Sequence, residues 1–158
     1  MLYRNFFVVS GKGLSKTSRL NAFDAALVDA GIAQCNLVPV SSILPEGATE
    51  VEPREIETGS ITFTVLARCD GTGGDLIGAG IGWAFVQDSK SKKEYGIVVE
   101  AMGDKSEEGI GIDLESRLLE MAKARSVTMN RKGKRVETMT VPGDFFGCVI
   151  SALIYVPE

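Results

Sequence analysis

Two stretches of this chain repeat apolar residues at helical spacing, and most of the remainder alternates like strand or breaks like turn. Leu20, Phe23, Leu27 and Ala30 form the first stripe, and Gly31 is well placed to close it, so a helix is expected over Leu20–Ala30. Leu114, Leu118, Met121, Ala122 and Arg125 form the second, inside a long amphipathic helix running from Ser106 to about Met129. Strands are expected at Phe6–Val9, Asn36–Ser41, Ile61–Arg68, Ile77–Gln87, Tyr95–Met102, Val136–Val141 and Phe145–Val156. Pro39 inside the second of these hints at a sheet edge or a bulge. The stretches SGKGLSKTSR, PEGATEVEPREIETGS, DGTGGD, DSKSKKE and PGD read as the intervening loops and turns. Two helices separated by runs of strands argue for an α+β fold with largely antiparallel sheet.

Length and charge narrow the possibilities further. At 158 residues one domain is expected, and a chain of this size buries about 70% of its unfolded surface. A formal net charge of −4 argues against a nucleic-acid surface and suits a cationic or neutral ligand. There is no histidine, which removes Ser-His-Asp and Cys-His nucleophilic systems, imidazole bases and every zinc site that needs His. Cys35, Cys69 and Cys148 are widely spaced, form no C-x-x-C and lie in apolar runs, where a reduced buried thiol is the usual role. The N-terminal apolar stretch is too short for a signal peptide or membrane span, so a cytoplasmic location and no membrane partner are expected.

The glycine-rich run GTGGDLIGAGIG lacks the G-x-G-x-x-G spacing, and SGKGLSKTS lacks the glycine-lysine ending of a phosphate loop. Glycines within a strand more often mark bulges or close packing.

Five positions carry polar groups that packing does not require. Ser41 and Ser42 sit between an apolar strand and the Pro45–Gly47 turn, a setting in which serine commonly bonds nearby backbone. Glu100 shares one strand face with Val98 and Met102 while Ile97, Val99 and Ala101 take the other. Its carboxylate lies either on a solvated face or in a partly desolvated place that would favour the neutral acid. Asp24 lies one residue past the apolar stripe of the first helix, as a surface charge would, and Asn36 opens the strand that leads to the serines.

In order along the chain these residues carry a resemblance. The run LNAFDAALVDAGIAQCNLVPVSSILP resembles the pyruvoyl-dependent arginine decarboxylase family in its N-A-F-D helix, D-A-G-I turn, N-L-V segment, serine pair and hydrophobic-proline exit. Downstream, GIVVEAMG resembles that family's strand bearing a catalytic glutamate, and a long helix and the final strand FFGCVISALIYV fit as well. The resemblance implies a four-layer α/β/β/α sandwich of mainly antiparallel sheets. It implies one domain, 1–158, that cuts itself into a β chain of 1–41 and an α chain of 42–158. The Ser42 hydroxyl would attack the Ser41 carbonyl, and elimination followed by hydrolysis would leave a pyruvoyl group at Ser42. That group is the cofactor, with no metal and no pyridoxal phosphate. It would condense with the α-amine of L-arginine and accept the electrons left by departing CO₂, giving agmatine.

By the same resemblance Glu100 supplies the proton, Asn36 positions the reacting groups, and Asp24 meets the guanidinium, whose planar fork matches a carboxylate. The family also implies a homotrimer, or a dimer of trimers, with sites between subunits. The spacing agrees, since Asn36 and Ser42 are about 20 Å apart on an extended strand and one copy cannot bring both to a small amino acid unless the chain bends. The same chemistry on another amino acid, or an unprocessed relative that only binds a ligand or a partner, are the alternatives.

Overall fold

The alternation of the strands decides which side chains meet. In the computed structural model, which describes residues 1–158, the chain runs β1 (Asn5–Ser15), α1 (Arg19–Asp29), β2 (Asn36–Pro39), β3 (Ile43–Leu44), β4 (Thr49–Glu50), β5 (Ile61–Thr72), β6 (Leu76–Asp88), β7 (Glu94–Gly103), α2 (Glu107–Arg125), β8 (Val127–Thr140) and β9 (Phe146–Val156). One sheet has the order β2-β5-β9-β1-β4 and the other β3-β7-β6-β8. Pairing is antiparallel except for β1 with β4 and β2 with β5.

Phe6, Val8, Val65, Ile77, Ile81, Trp83, Val98, Val149 and Leu153 fill the space between the two sheets. The opposite faces are covered by the helices: Ala22 and Ala26 of α1, with Ala30 at its C-cap, pack with Phe7, Val9, Ile150 and Ile154, and Leu118 and Ala122 of α2 pack with Ala84 and Ile97. The result is the four-layer α/β/β/α sandwich. β9 is apolar on both faces because it lies inside its sheet with a helix on one side and the other sheet on the other.

The sequence Ser10–Ser15, expected to be loop, continues β1 and pairs with β9 through Phe146. Its glycines make room for a helix. A Cβ on Gly11 would lie 2.2 Å from the Ala26 carbonyl oxygen, and one on Gly13 would lie 2.4 Å from that of Ala22. In β6 a Cβ on Gly80 would lie 2.7 Å from Ile110 and 2.9 Å from Leu114. Both helices thus dock in troughs of glycine, so the glycines here mark close packing.

The second helix is shorter than its apolar stripe suggested. Ser106 caps its start by accepting from the Gly109 amide at 3.2 Å, and acidic Glu107 and Glu108 with basic Lys123 and Arg125 complement its dipole. Ser126 then adopts a left-handed conformation, φ 54°, and ends it. Val127 to Met129 belong to β8, paired with β6. Pro39 does lie in an edge strand, β2.

Candidate active site

The chain leaves one sheet and enters the other between β2 and β3, and the serine pair occupies that crossing. On one side the Val40 amide donates to the Thr64 carbonyl of β5 at 2.8 Å. On the other, Leu44 is fully buried and sits over Gly96 of β7, where a Cβ would lie 2.6 Å from the Leu44 Cβ. Two residues of β3 are enough to fix the chain there because one of them belongs to the core.

Ser42 is held through two successive carbonyls, its own and that of the next residue. Its carbonyl oxygen accepts from the Val98 amide at 2.9 Å. The next carbonyl, that of Ile43, accepts from the Tyr155 hydroxyl at 2.9 Å. Burial pushes that phenol up to about 12, so it stays a donor. Ser42 is half-buried and Ser41 exposed. Both line a pocket of about 310 Å³ whose other walls include Val40, Pro45, Phe63 and Tyr155. A hydroxyl pair on a fixed backbone, against mainly apolar walls, suits a reaction in which one hydroxyl attacks the neighbouring carbonyl.

Glu100 lies on β7 two residues beyond Val98, about 7 Å along the strand. Val98 is in the core between the sheets and Ile97 is in the core beneath α2, so the expected alternation holds and Glu100 points to the same side as Val98. β3 pairs with β7 only at Gly96 and Ile97. At Glu100 that edge of β7 is therefore bare of strand. The residue is exposed there, yet desolvation by the surrounding protein raises its carboxyl pKa above the ordinary value, with the Arg117 charge pulling it down. The carboxyl thus stands on an exposed face and is partly desolvated by its neighbours.

Asn36 and Asp24 lie elsewhere in the chain. Asn36 is exposed at the start of β2, where its Nδ2 donates to the Gly59 carbonyl at 3.1 Å and its amide donates to that of Ser60 at 2.8 Å. Asp24 is exposed on the outer side of α1, flanked one turn away on each side by Leu20 and Val28, which are 71% and 62% exposed. The sheet of β1 and β9 separates α1 from the serine pocket, so Asp24 and Ser42 of one chain do not share a cavity.

Two contributors were not singled out from the sequence. Tyr155 reaches back 112 positions to Ile43, and the Arg117 Nη1 donates to the Glu100 carbonyl at 2.6 Å across 17. Both act on backbone carbonyls, a contact that leaves no spacing pattern. No helix is long and apolar enough to cross a membrane, and no three His, Cys, Asp or Glu side chains come together as a metal-ligand set.

Comparison with known proteins gives a consistent result. Residues 5–158 match the family model for pyruvoyl-dependent arginine decarboxylase. The protein of that name from Methanopyrus kandleri is 37% identical over 138 residues, covering 87% of this chain and 83% of the relative. The one from Methanothermobacter thermautotrophicus is 35% identical over 94% of this chain and 93% of the relative. Pyruvoyl-dependent arginine decarboxylase 2 of Archaeoglobus fulgidus is 32% identical over 99% and 98%.

Proposed function

This chain belongs to the pyruvoyl-dependent arginine decarboxylase family, and from that premise we propose that it cuts itself between Ser41 and Ser42, turns Ser42 into a covalent pyruvoyl group, and decarboxylates L-arginine to agmatine and CO₂. The observation that carries the reading is the seat of Ser42, with its carbonyl on the Val98 amide and the following carbonyl on Tyr155.

The residues present fit the group. In the acyl shift the Ser42 Oγ bonds to the Ser41 carbonyl carbon and the Ser41–Ser42 amide bond breaks. Elimination then releases Ser41 as a new carboxylate, and water displaces the Ser42 nitrogen as ammonia. The carbonyl held by Val98 belongs to Ser42 and outlasts these steps, so the new chain end keeps its anchor. Leu44 buried over Gly96 keeps the rest of β3 in place. Once formed, the group supplies a ketone that condenses with the substrate amine and takes up the electrons left by CO₂. Glu100 holds the proton that replaces CO₂, since desolvation favours its neutral form.

The place of Asp24 supports sites completed between copies. It stands with Leu20 and Val28 on an outward helix face, remote from its own Ser42. We assign it to the guanidinium of substrate bound at a neighbouring subunit's serine, with Asn36 positioning the reacting groups, in a cytoplasmic homotrimer or dimer of trimers.

Denaturing mass spectrometry of the purified protein, followed by CO₂ release from arginine, lysine, ornithine and citrulline, tests the proposal. Expected are chains of residues 1–41 and 42–158, with arginine preferred, and a Ser42→Ala protein that stays whole and inactive. An uncleaved protein that decarboxylates arginine would overturn the pyruvoyl reading.

A further inference from the structure

Where β3 departs, the next backbone groups on that edge of β7 have no strand to pair with, and these are the groups of Glu100. An unpaired strand edge beside a site is free to shift. One side chain bonds to it. Arg117, on the helix that covers the other face of this sheet, reaches round the edge and donates its Nη1 to the Glu100 carbonyl at 2.6 Å. A charge-assisted bond of this length is among the stronger kinds.

We infer that Arg117 is a positioning residue for the reaction: from α2 it takes the place of the missing strand at Glu100, and so fixes the direction of the Glu100 carboxyl relative to Ser42. The inference rests on the proposed role of Glu100 as the acid. It gives the end of β7 a rung that continues the one between Val98 and Ser42. A guanidinium suits this task because one of its N–H groups can hold the carbonyl while its charge lies near the carboxyl of the same residue.

Arg117 is the charge that acts on Glu100, and the other neighbours leave it that role. β3 offers Ile43 and Leu44, and β6 places Ile81 directly across. In the facing strand β5, Arg68 and Asp70 are paired to each other, and Arg68 lies over Phe23 of α1, away from β7. Cys69 of β5 comes near Gly78 and Gly103 beyond Glu100. On α2 itself, Asp113 lies one turn before Arg117 and feels its charge, but the hydrogen bond it accepts is from Lys105 at 2.6 Å.

The test uses two readouts that a scaffolding role would not move together. In the unprocessed Ser42→Ala background, ¹³C NMR of labelled glutamate follows the Glu100 titration with no pyruvoyl group present. In processed protein, kcat and KM for arginine are measured with Arg117→Met and Arg117→Lys. For Arg117→Met the expectation is a Glu100 titration moved to higher pH, because an opposing charge is lost, and a kcat about tenfold lower with KM nearly unchanged. Arg117→Lys should return the titration toward its starting place while restoring kcat only in part, since an ammonium lacks the planar fork. An unmoved titration with full kcat in Arg117→Met, or a loss confined to KM, overturns the inference. If Arg117→Met does not fold, full kcat in Arg117→Lys does so. Should Glu100→Gln keep its kcat, the acid role fails by itself, and the titration still decides whether Arg117 governs Glu100.

Discussion

Glu100 carries opposite influences in one carboxyl: desolvation favours its neutral form, and Arg117 favours its charged form, with desolvation the larger. The sign has a kinetic consequence. A raised pKa keeps the proton on the acid to higher pH, so kcat should hold through the acidic range and fall as pH rises through that pKa. Glu100→Gln is nearly isosteric and cannot deliver a proton. It should lower kcat by about a hundredfold or more, leave substrate binding nearly intact and abolish that alkaline fall. Profiles of kcat against pH for both proteins check this, and a variant with near-normal kcat would remove Glu100 from the mechanism. At this scale the candidates were legible, but not their assembly: the serine pair, Glu100, Asn36 and Asp24 all lie in two short runs of sequence, and of these residues only the two serines line one pocket. What was not legible is how the backbone beside Ser42 and at Glu100 is held. Tyr155 and Arg117 look like an ordinary core tyrosine and an ordinary helix-surface arginine until the fold delivers them to distant carbonyls.

Among the elements, glycine was the residue most easily misread. The run from Ser10 to Ser15 has the composition of a loop, and local rules assign it to one. Its strand character comes from pairing with β9, and its glycines answer to α1, whose backbone lies so close that only glycine fits beneath it. That is a tertiary reason, invisible until the helix is in place. The end of α2 went wrong for a related cause: Val127 and Met129 extend an apolar pattern that both periods accept, and only the left-handed Ser126 separates them. The two helices, the seven longer strands and the antiparallel order were legible because their patterns are long. The close fit also predicts a cost. Gly13→Val would press a branched side chain into the backbone of Ala22 and Ala26, which cannot swing aside as a flexible side chain can. Overpacking of this kind costs about 1–3 kcal/mol or somewhat more, measurable as a lower urea midpoint at unchanged slope. A midpoint equal to that of the parent protein would mean that α1 can lift off β1 without loss.

For the molecule as a whole, the proposed cut falls along a boundary between layers. Residues 1–41 contain β1, α1 and β2, all belonging to one sheet and its helix, whereas residues 42–158 contain the whole of the other sheet together with β4, β5 and β9. β1 nevertheless lies between β9 and β4, paired with β9 along its full length from Asn5 to Ser15. The two pieces should therefore co-elute in native size-exclusion chromatography and separate only in denaturant. Dissociation of the small piece under native conditions would contradict that pairing. The double anchorage of Ser42 also has a consequence in time. The Val98 amide and the Tyr155 hydroxyl both come from chain made long after the serines, so a ribosome must have delivered almost all of these residues before the bond at Ser41 is presented for attack. On the proposed chemistry, a protein cut short before its last strand would remain whole and inert. Activation would then double as a proofreading step, in which the molecule arms itself only after β9 has been made and docked.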